Sequence, residues 1–234
     1  MIEFFELLNW TAVFQIVLID ILLGGDNAVV IALACRKLEH RQRFLGILWG
    51  TVGAIVLRII LIAFAMTLLG VPFLKVVGAL LLVWIGVKLL LPDDHSQDDV
   101  HASASVLAAI RTIIVADLVM SLDNVVAIAA AAQQAHSDHH LILVVFGLLL
   151  SVPIIVWGST LVLKLIDRFP VVVTLGAGLL GWIAGGMLVT DQVIVAEFGA
   201  QPALKIGAEI AGAALVVVLG LWLARRRRMV AASH

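Results

Sequence analysis

The sequence predicts an all-α polytopic membrane protein with about seven transmembrane helices, built as two inverted three-helix repeats plus a C-terminal helix. Three observations lead there: a composition that only lipid can solvate, a series of spans near bilayer length, and a constant offset between the two halves of the chain. Of 234 residues, 63% are hydrophobic and 13% are charged. Soluble domains hold about 45–50% apolar and about 25% charged residues, and a fold of this size has too little interior to hide the excess. The net charge of −1 gives no support to nucleic-acid binding. The single cysteine, Cys35, excludes an internal disulfide and a multi-cysteine metal site, and reads as a small apolar filler.

Spans are expected near 9–35, 43–69, 71–91, 104–133, 140–163, 170–190 and 206–224. The first and fourth exceed one bilayer crossing, so part of each is expected to protrude, tilt or break. Pro72, Pro92, Pro170 and Pro202 punctuate loops, and Pro153 predicts a kink in the fifth span. The stretch Met1–Glu6 lacks the basic region of a cleaved signal peptide, so the first apolar segment is expected to remain in the protein. Basic residues set the orientation. Arg36, Lys37, Arg41, Arg43, Lys88, Arg111, Lys164, Arg168 and Arg225–Arg228 fall on one side, which is 12 of 15. This places the N-terminus outside and the C-terminus in the cytoplasm.

The first span contains Asp20-Ile-Leu-Leu-Gly-Gly-Asp26-Asn27, and the fourth contains Asp117-Leu-Val-Met-Ser-Leu-Asp123-Asn124. The offset is 97 residues, from 20 to 117 and from 26 to 123. Trp49-Gly50 meets Phe146-Gly147 at the same offset; then, after a slip of one, Gly78 to Ile85 meets Gly176 to Ile183. Leu and Val matches arise cheaply in apolar chains, but a repeated D-x5-D-N inside hydrocarbon does not. Repeat A therefore covers 9–91, a cytoplasmic linker 92–103, repeat B 104–190 and an extra helix 206–224. Three crossings are an odd number, so the second copy enters the membrane from the opposite side, an arrangement common in secondary transporters.

Each charged Asp at the bilayer centre opposes insertion by about 2.5–3.5 kcal/mol. Asp20, Asp26, Asp117 and Asp123 must therefore face a polar cavity, carry protons or bind a cation. Asp20, Gly24 and Asn27 stack on one helix face, as do Asp117, Ser121 and Asn124. Asp26 and Asp123 lie one residue before each Asn. The donors Asp20, Asp26, Asn27, Asp117, Asp123 and Asn124 are all oxygen ligands, which suits a hard divalent cation: Mn²⁺, Mg²⁺ or Ca²⁺. Four carboxylates exceed the charge of one such ion, so some are expected to carry protons that metal binding releases. The bland alternative is that these groups only join helices by hydrogen bonds, which Asn alone can do.

At Gly25-Asp26-Asn27-Ala28, at Ala116 to Asn124 and at Gly181-Trp182-Ile183-Ala184-Gly185 the chain resembles the TerC family of bacterial membrane proteins, within the LysE-type transporter group. The resemblance covers nearly the whole chain. It implies a seven-helix fold in the bacterial inner membrane and manganese efflux, with the acidic residues of the motifs essential. Many relatives carry Glu at the first acidic slot, where this chain has the shorter Asp20. Tellurite resistance gave the family its name, but no tellurite chemistry is readable in these residues.

No resident cofactor is expected, with Mn²⁺ or a similar ion as transported substrate, the bilayer as partner and a homo-oligomer open. Arg58, mid-span, either counterbalances the acidic cluster or pairs structurally. Asp191 and Glu209 read as interfacial residues and Glu197 as a solvated loop residue. The His136–His140 loop and the acidic stretch Asp93–His101 read as polar connections, with metal collection as the alternative. Enzymatic function is not expected. An intramembrane aspartyl protease would need two distinct catalytic contexts rather than a duplicated D-N, and a retinal protein would need a mid-span lysine in its last helix. The remaining alternative is a non-transporting membrane partner or assembly factor in metal or tellurite stress.

Overall fold

The computed structural model describes residues 10–64, 71–91, 102–134, 140–199 and 201–231. Side chains at 12, 19, 21–25, 102–105, 123–134, 140–143, 228, 230 and 231 stand outside that description. So do the N-terminal Met1–Glu6 stretch, the linker Asp93–His101 and the side chains of the His136–His140 loop.

Among the described residues the chain forms eight helices: α1 (Trp10–Cys35), α2 (His40–Ala63), α3 (Leu74–Leu90), α4 (Ala102–Gln134), α5 (His140–Arg168), α6 (Val171–Val189), α7 (Gln192–Phe198) and α8 (Pro202–Ala231). Seven are long, in the order the hydropathy pattern predicts, and α7 is a short addition. Four described stretches are long and apolar enough to cross a membrane by length and composition: His40–Ala63, Val144–Arg168, Val171–Val189 and Pro202–Arg227. The chain is a polytopic membrane protein. Trp49, Trp84, Leu175 and Val218 face outward, fully in keeping with a lipid solvent.

Boundaries differ from expectation in physically simple ways. Helix α2 ends at Ala63, earlier than hydropathy alone suggests. Helix α8 runs from Pro202 to Ala231, well past the apolar stretch at both ends. Pro202 is its first residue, where the missing N–H has no helical partner to lose and the fixed φ suits the first turn, so it starts the helix rather than marking a loop. The backbone of α1 is helical through Gly24-Gly25, and α4 is one unbroken helix of 33 residues, about 50 Å long. Helix α5 continues through Pro153. Glu197 lies exposed within α7 rather than in a loop.

Glycines set how the repeats meet. A Cβ at Gly50 of α2 would stand 2.5 Å from Ile113 of α4, and one at Gly147 of α5 would stand 2.6 Å from Ile16 of α1. These contacts are copies of each other: Gly50 and Gly147 are 97 apart, and so are Ile16 and Ile113. The third helices repeat the pattern, with Gly78 of α3 against Val119 of α4 and Gly176 of α6 against Val29 and Leu33 of α1. Each repeat thus packs its second and third helices on the first helix of the other. The halves interlock, and neither buries its own apolar faces alone.

The same contacts establish the inversion. Along α2 and α4, Gly50 meets Ile113, Ala54 shares a cavity with Asp117, and Arg58 bonds Ser121. Both sequences advance together, so α2 and α4 run parallel. Helix α1 is joined to α2 by the short turn 36–39 and runs antiparallel to it. Equivalent helices α1 and α4 therefore point in opposite directions.

One end of the bundle is tied by basic side chains. Arg36 and Lys37 donate to the carbonyls of Leu89 and Leu91 at the C-terminus of α3 (2.6 and 2.8 Å), and Arg43 pairs with Asp167 at 2.7 Å. Cations there complement the helix dipole and the unpaired carbonyls. At the other end, buried Asp191 accepts from the N–H of Val193 at 3.0 Å and of Lys75 at 3.2 Å. It caps α7 and fastens the first turn of α3, which is a structural role. Glu209, a half-buried side chain beside Gly186 of α6, lies 3.9 Å from exposed Lys205, a loose pair.

The closest helix crossing joins α6 to the extra helix α8. Cβ atoms at Gly181 and Gly185 would strike the backbone of Gly212 and Ala208. Small residues at this spacing let two backbones touch in a bilayer. Gly181→Leu is expected to force α8 away and cost about 1–3 kcal/mol or more, read as a lower melting temperature in detergent. Gly207, with no atom within 4 Å of a built Cβ, is the control. Gly207→Ala is expected to leave the melting temperature unchanged or slightly higher.

Candidate functional site

The glycine contacts fix what lies one turn further on. Ile113 sits in the notch of Gly50, so Asp117 comes to lie beside Ala54. Ile16 sits in the notch of Gly147, so Asp20 comes to lie beside Ser151. Two turns above Gly50, Arg58 reaches between the two acids. Its Nη1 donates to Asp20, its Nη2 to Asp117, and its Nε to the hydroxyl of Ser121 at 3.0 Å. The second oxygen of Asp117 accepts from Ser121 at 3.1 Å, and the second oxygen of Asp20 accepts from Ser151. Every member is buried: Asp20, Arg58, Asp117, Ser121 and Ser151 are at most 5% exposed.

This is a compensated cluster in a low-dielectric interior. Each carboxylate receives one guanidinium nitrogen and one hydroxyl, and the planar guanidinium serves two acids at once as an ammonium would not. With both acids ionised, two carboxylates and one cation would leave a formal net charge of −1. That excess favours a further cation nearby.

Asn27, two turns from Asp20 on the same face of α1, is 4% exposed. Neither its amide nitrogen nor its amide oxygen has a partner among the described residues. It lines a cavity of about 10 Å³ with Val30, Ile31, Ala54, Ile113 and Asp117, room for about one water-sized body. A buried carboxamide with neither end bonded to a described residue is an exception that its surroundings must explain. Asp26 is half-buried, and its Oδ1 accepts from the N–H of Asn27 at 2.9 Å, which turns it back on its own helix. Thr51, also on α2, is buried with its hydroxyl unpartnered among the described residues.

Of the six residues expected at the site, Asp20 and Asp117 are brought together, on Arg58. Asn27 shares a cavity with Asp117. Asp26 stands apart from the cluster's direct bonds. The side chains of Asp123 and Asn124 lie outside the described residues. No group of three His, Cys, Asp or Glu side chains forms a ready metal cage among the described residues. Sequence reasoning missed Ser151, Ala54 and Thr51. The signal for Ser151 is a hydroxyl one turn after Gly147, on the face that α5 turns to α1.

A buried hydroxyl on a carboxylate is worth about 1.5–3 kcal/mol. Ser151→Ala is expected to lower stability by that amount, measured by thermal unfolding in detergent. Ser159→Ala is the contrast, because that hydroxyl only bonds back to the carbonyl of Ile155 in its own helix. It is expected to change stability much less.

Similarity to known proteins agrees with this architecture. The model of the integral membrane protein TerC family matches residues 5–228. Uncharacterized membrane protein YjbE of Bacillus subtilis (strain 168) is 45% identical over 177 residues, covering 76% of this chain and 78% of that protein. Uncharacterized membrane protein YceF of the same organism is 26% identical over 185 residues (75% and 70%). UPF0053 inner membrane protein YgdQ of Escherichia coli (strain K12) is 23% identical over 178 residues (69% and 73%). No solved structure matches. With the family model spanning nearly its whole length and a 45% identical relative covering three quarters of it, the chain belongs to the TerC family of integral membrane proteins.

Proposed function

We propose that the protein exports a divalent metal cation, Mn²⁺ foremost, by alternating access at the seam between its inverted repeats. What supports this reading most is Asn27: a carboxamide 4% exposed, unpartnered at both ends among the described residues, facing a water-sized cavity it shares with Asp117. An isolated structural Asn in lipid would find a partner, because an open amide there costs several kcal/mol, on the order of a lost hydrogen bond or more. The donors around the cavity are oxygens, which fits a hard ion. Asp26, Asp123 and Asn124 complete the proposed ligand set by their repeat positions, with Asp20 behind them on Arg58. The basic-residue pattern favours an inner-membrane topology with the N-terminus outside, and counter-movement of protons would offset the charge carried.

Arg58's bonds to two acids also favour a second reading, a membrane partner that uses the cluster only to hold its helices. Metal content separates the two. In Mn-stressed cells the wild-type protein is expected to lower intracellular Mn, and Asp26→Ala and Asp123→Ala to abolish the effect. A non-transporting partner tolerates Asp26→Asn and Asp123→Asn. Unchanged Mn content with the wild-type protein removes the export reading.

Asn27→Leu gives a sharper test, because the substitution replaces an unsatisfied polar group by an apolar one of similar size. It is expected to keep or raise the melting temperature while eliminating Mn export. Full export by this variant would remove the cavity from the mechanism.

A further inference from the structure

Asp117 has two claimants. Its carboxylate lines the cavity beside Asn27, and the same carboxylate accepts from Arg58 Nη2 and from Ser121. A cation entering the cavity meets an acid whose oxygens are already engaged. From these contacts we propose that Arg58 is a tethered cation that holds Asp117 and competes with the incoming divalent ion for that carboxylate. The inference rests on the metal-transport reading above and adds the device that keeps affinity low enough for release.

Three features of the cluster carry it. First, Arg58 is 2% exposed and holds one acid from each repeat, so it links the two copies as a shared ion would. Second, its repeat equivalent is Ile155, 97 residues on. The duplicated frame therefore holds one guanidinium for two acids, and its negative excess still attracts an ion. Third, the cavity exists beside Ala54, while the equivalent position on the other side carries Ser151, whose hydroxyl engages Asp20. The cavity and the competing guanidinium both lie at Asp117.

Competition lowers apparent affinity by the fraction of molecules in which Asp117 is free of Arg58. A merely structural ion pair makes the opposite prediction: removing it loosens the helices and weakens any site they form. The discriminating variant is Arg58→Gln/Asp20→Asn. It removes one positive and one negative charge, so the buried net charge stays at −1 and the fold avoids an extra naked carboxylate.

Mn²⁺ binding to purified full-length protein in detergent, by titration calorimetry, is measured for wild type and the double variant, alongside Mn²⁺ transport into everted vesicles. The expected result is at least about tenfold tighter binding with slower transport, since the ion no longer has a guanidinium to displace it. Arg58→Lys keeps a tethered cation without the fork, and is expected to bind Mn²⁺ nearer to wild type than the double variant does. Equal or weaker binding by the double variant, with Mn²⁺ still bound and exported by wild type, overturns the tethered-cation inference and leaves the transport reading intact. No Mn²⁺ binding by either protein overturns both.

Discussion

One guanidinium shared by two acids, one from each repeat, is the interaction on which the centre of this bundle depends. Asp20 and Asp117 are equivalent residues on helices of opposite direction, and each alone in lipid would oppose insertion. Arg58 meets both, and Ser151 and Ser121 take the remaining oxygens. Burying a charge is tolerable only with a partner and full hydrogen bonding. Here that requirement specifies which helices meet and at what height. Helices α1, α2, α4 and α5 must all arrive at one point, with α2 rotated so that a residue two turns beyond Gly50 faces both first helices.

Much of this was legible in the sequence, and the reason is chemical. Polar residues in hydrocarbon are too costly to occur by accident, so the repeated D-x5-D-N announced both the duplication and the central acids. Spans were legible because lipid demands long apolar helices. The offset of 97 recurs in the packing, since Gly50 with Ile113 and Gly147 with Ile16 are the same contact made twice. An offset says which residues are equivalent; it does not say which ones touch. That Arg58 reaches across to Asp20 and Asp117, that Ser151 backs Asp20, and that Asp191 caps α7 and α3 are facts of three-dimensional approach with no sequence periodicity behind them.

The departures from symmetry matter as much as the symmetry. Gly50 and Gly147 build the same notch twice, but the next turns differ: Ala54 against Ser151, then Arg58 against Ile155. On the Ser151 side the hydroxyl bonds its acid. On the Ala54 side there is a cavity, which Asn27 lines with no partner for its amide among the described residues. Unequal side chains in a duplicated frame thus leave an open position beside Ala54. Helix α8, packed through Gly212 on Gly181 of α6 and through Gly220 on Leu90 of α3, lies outside the repeat and adds a second inequality on the far side of the bundle.

The packing also decides which bonds are stressed if the bundle moves. The glycine notches make α2 with α4, and α1 with α5, the intimate pairs, each composed of one helix from either repeat. Within those pairs lie the bonds of Arg58 to Asp117 and of Ser151 to Asp20. Between them lies the bond of Arg58 to Asp20, and beside it, about 10.5 Å along α1, the cavity with Asn27 of α1 on one wall and Asp117 of α4 on the other. The seam between the pairs is therefore bridged by Arg58 at one height and holds the cavity at the next. An ion held by Asn27 and Asp117 would join the same two pairs that Arg58 joins through Asp20. On the proposed reading, exchanging one bridge for the other is how occupancy of the site is communicated to the helices that must separate.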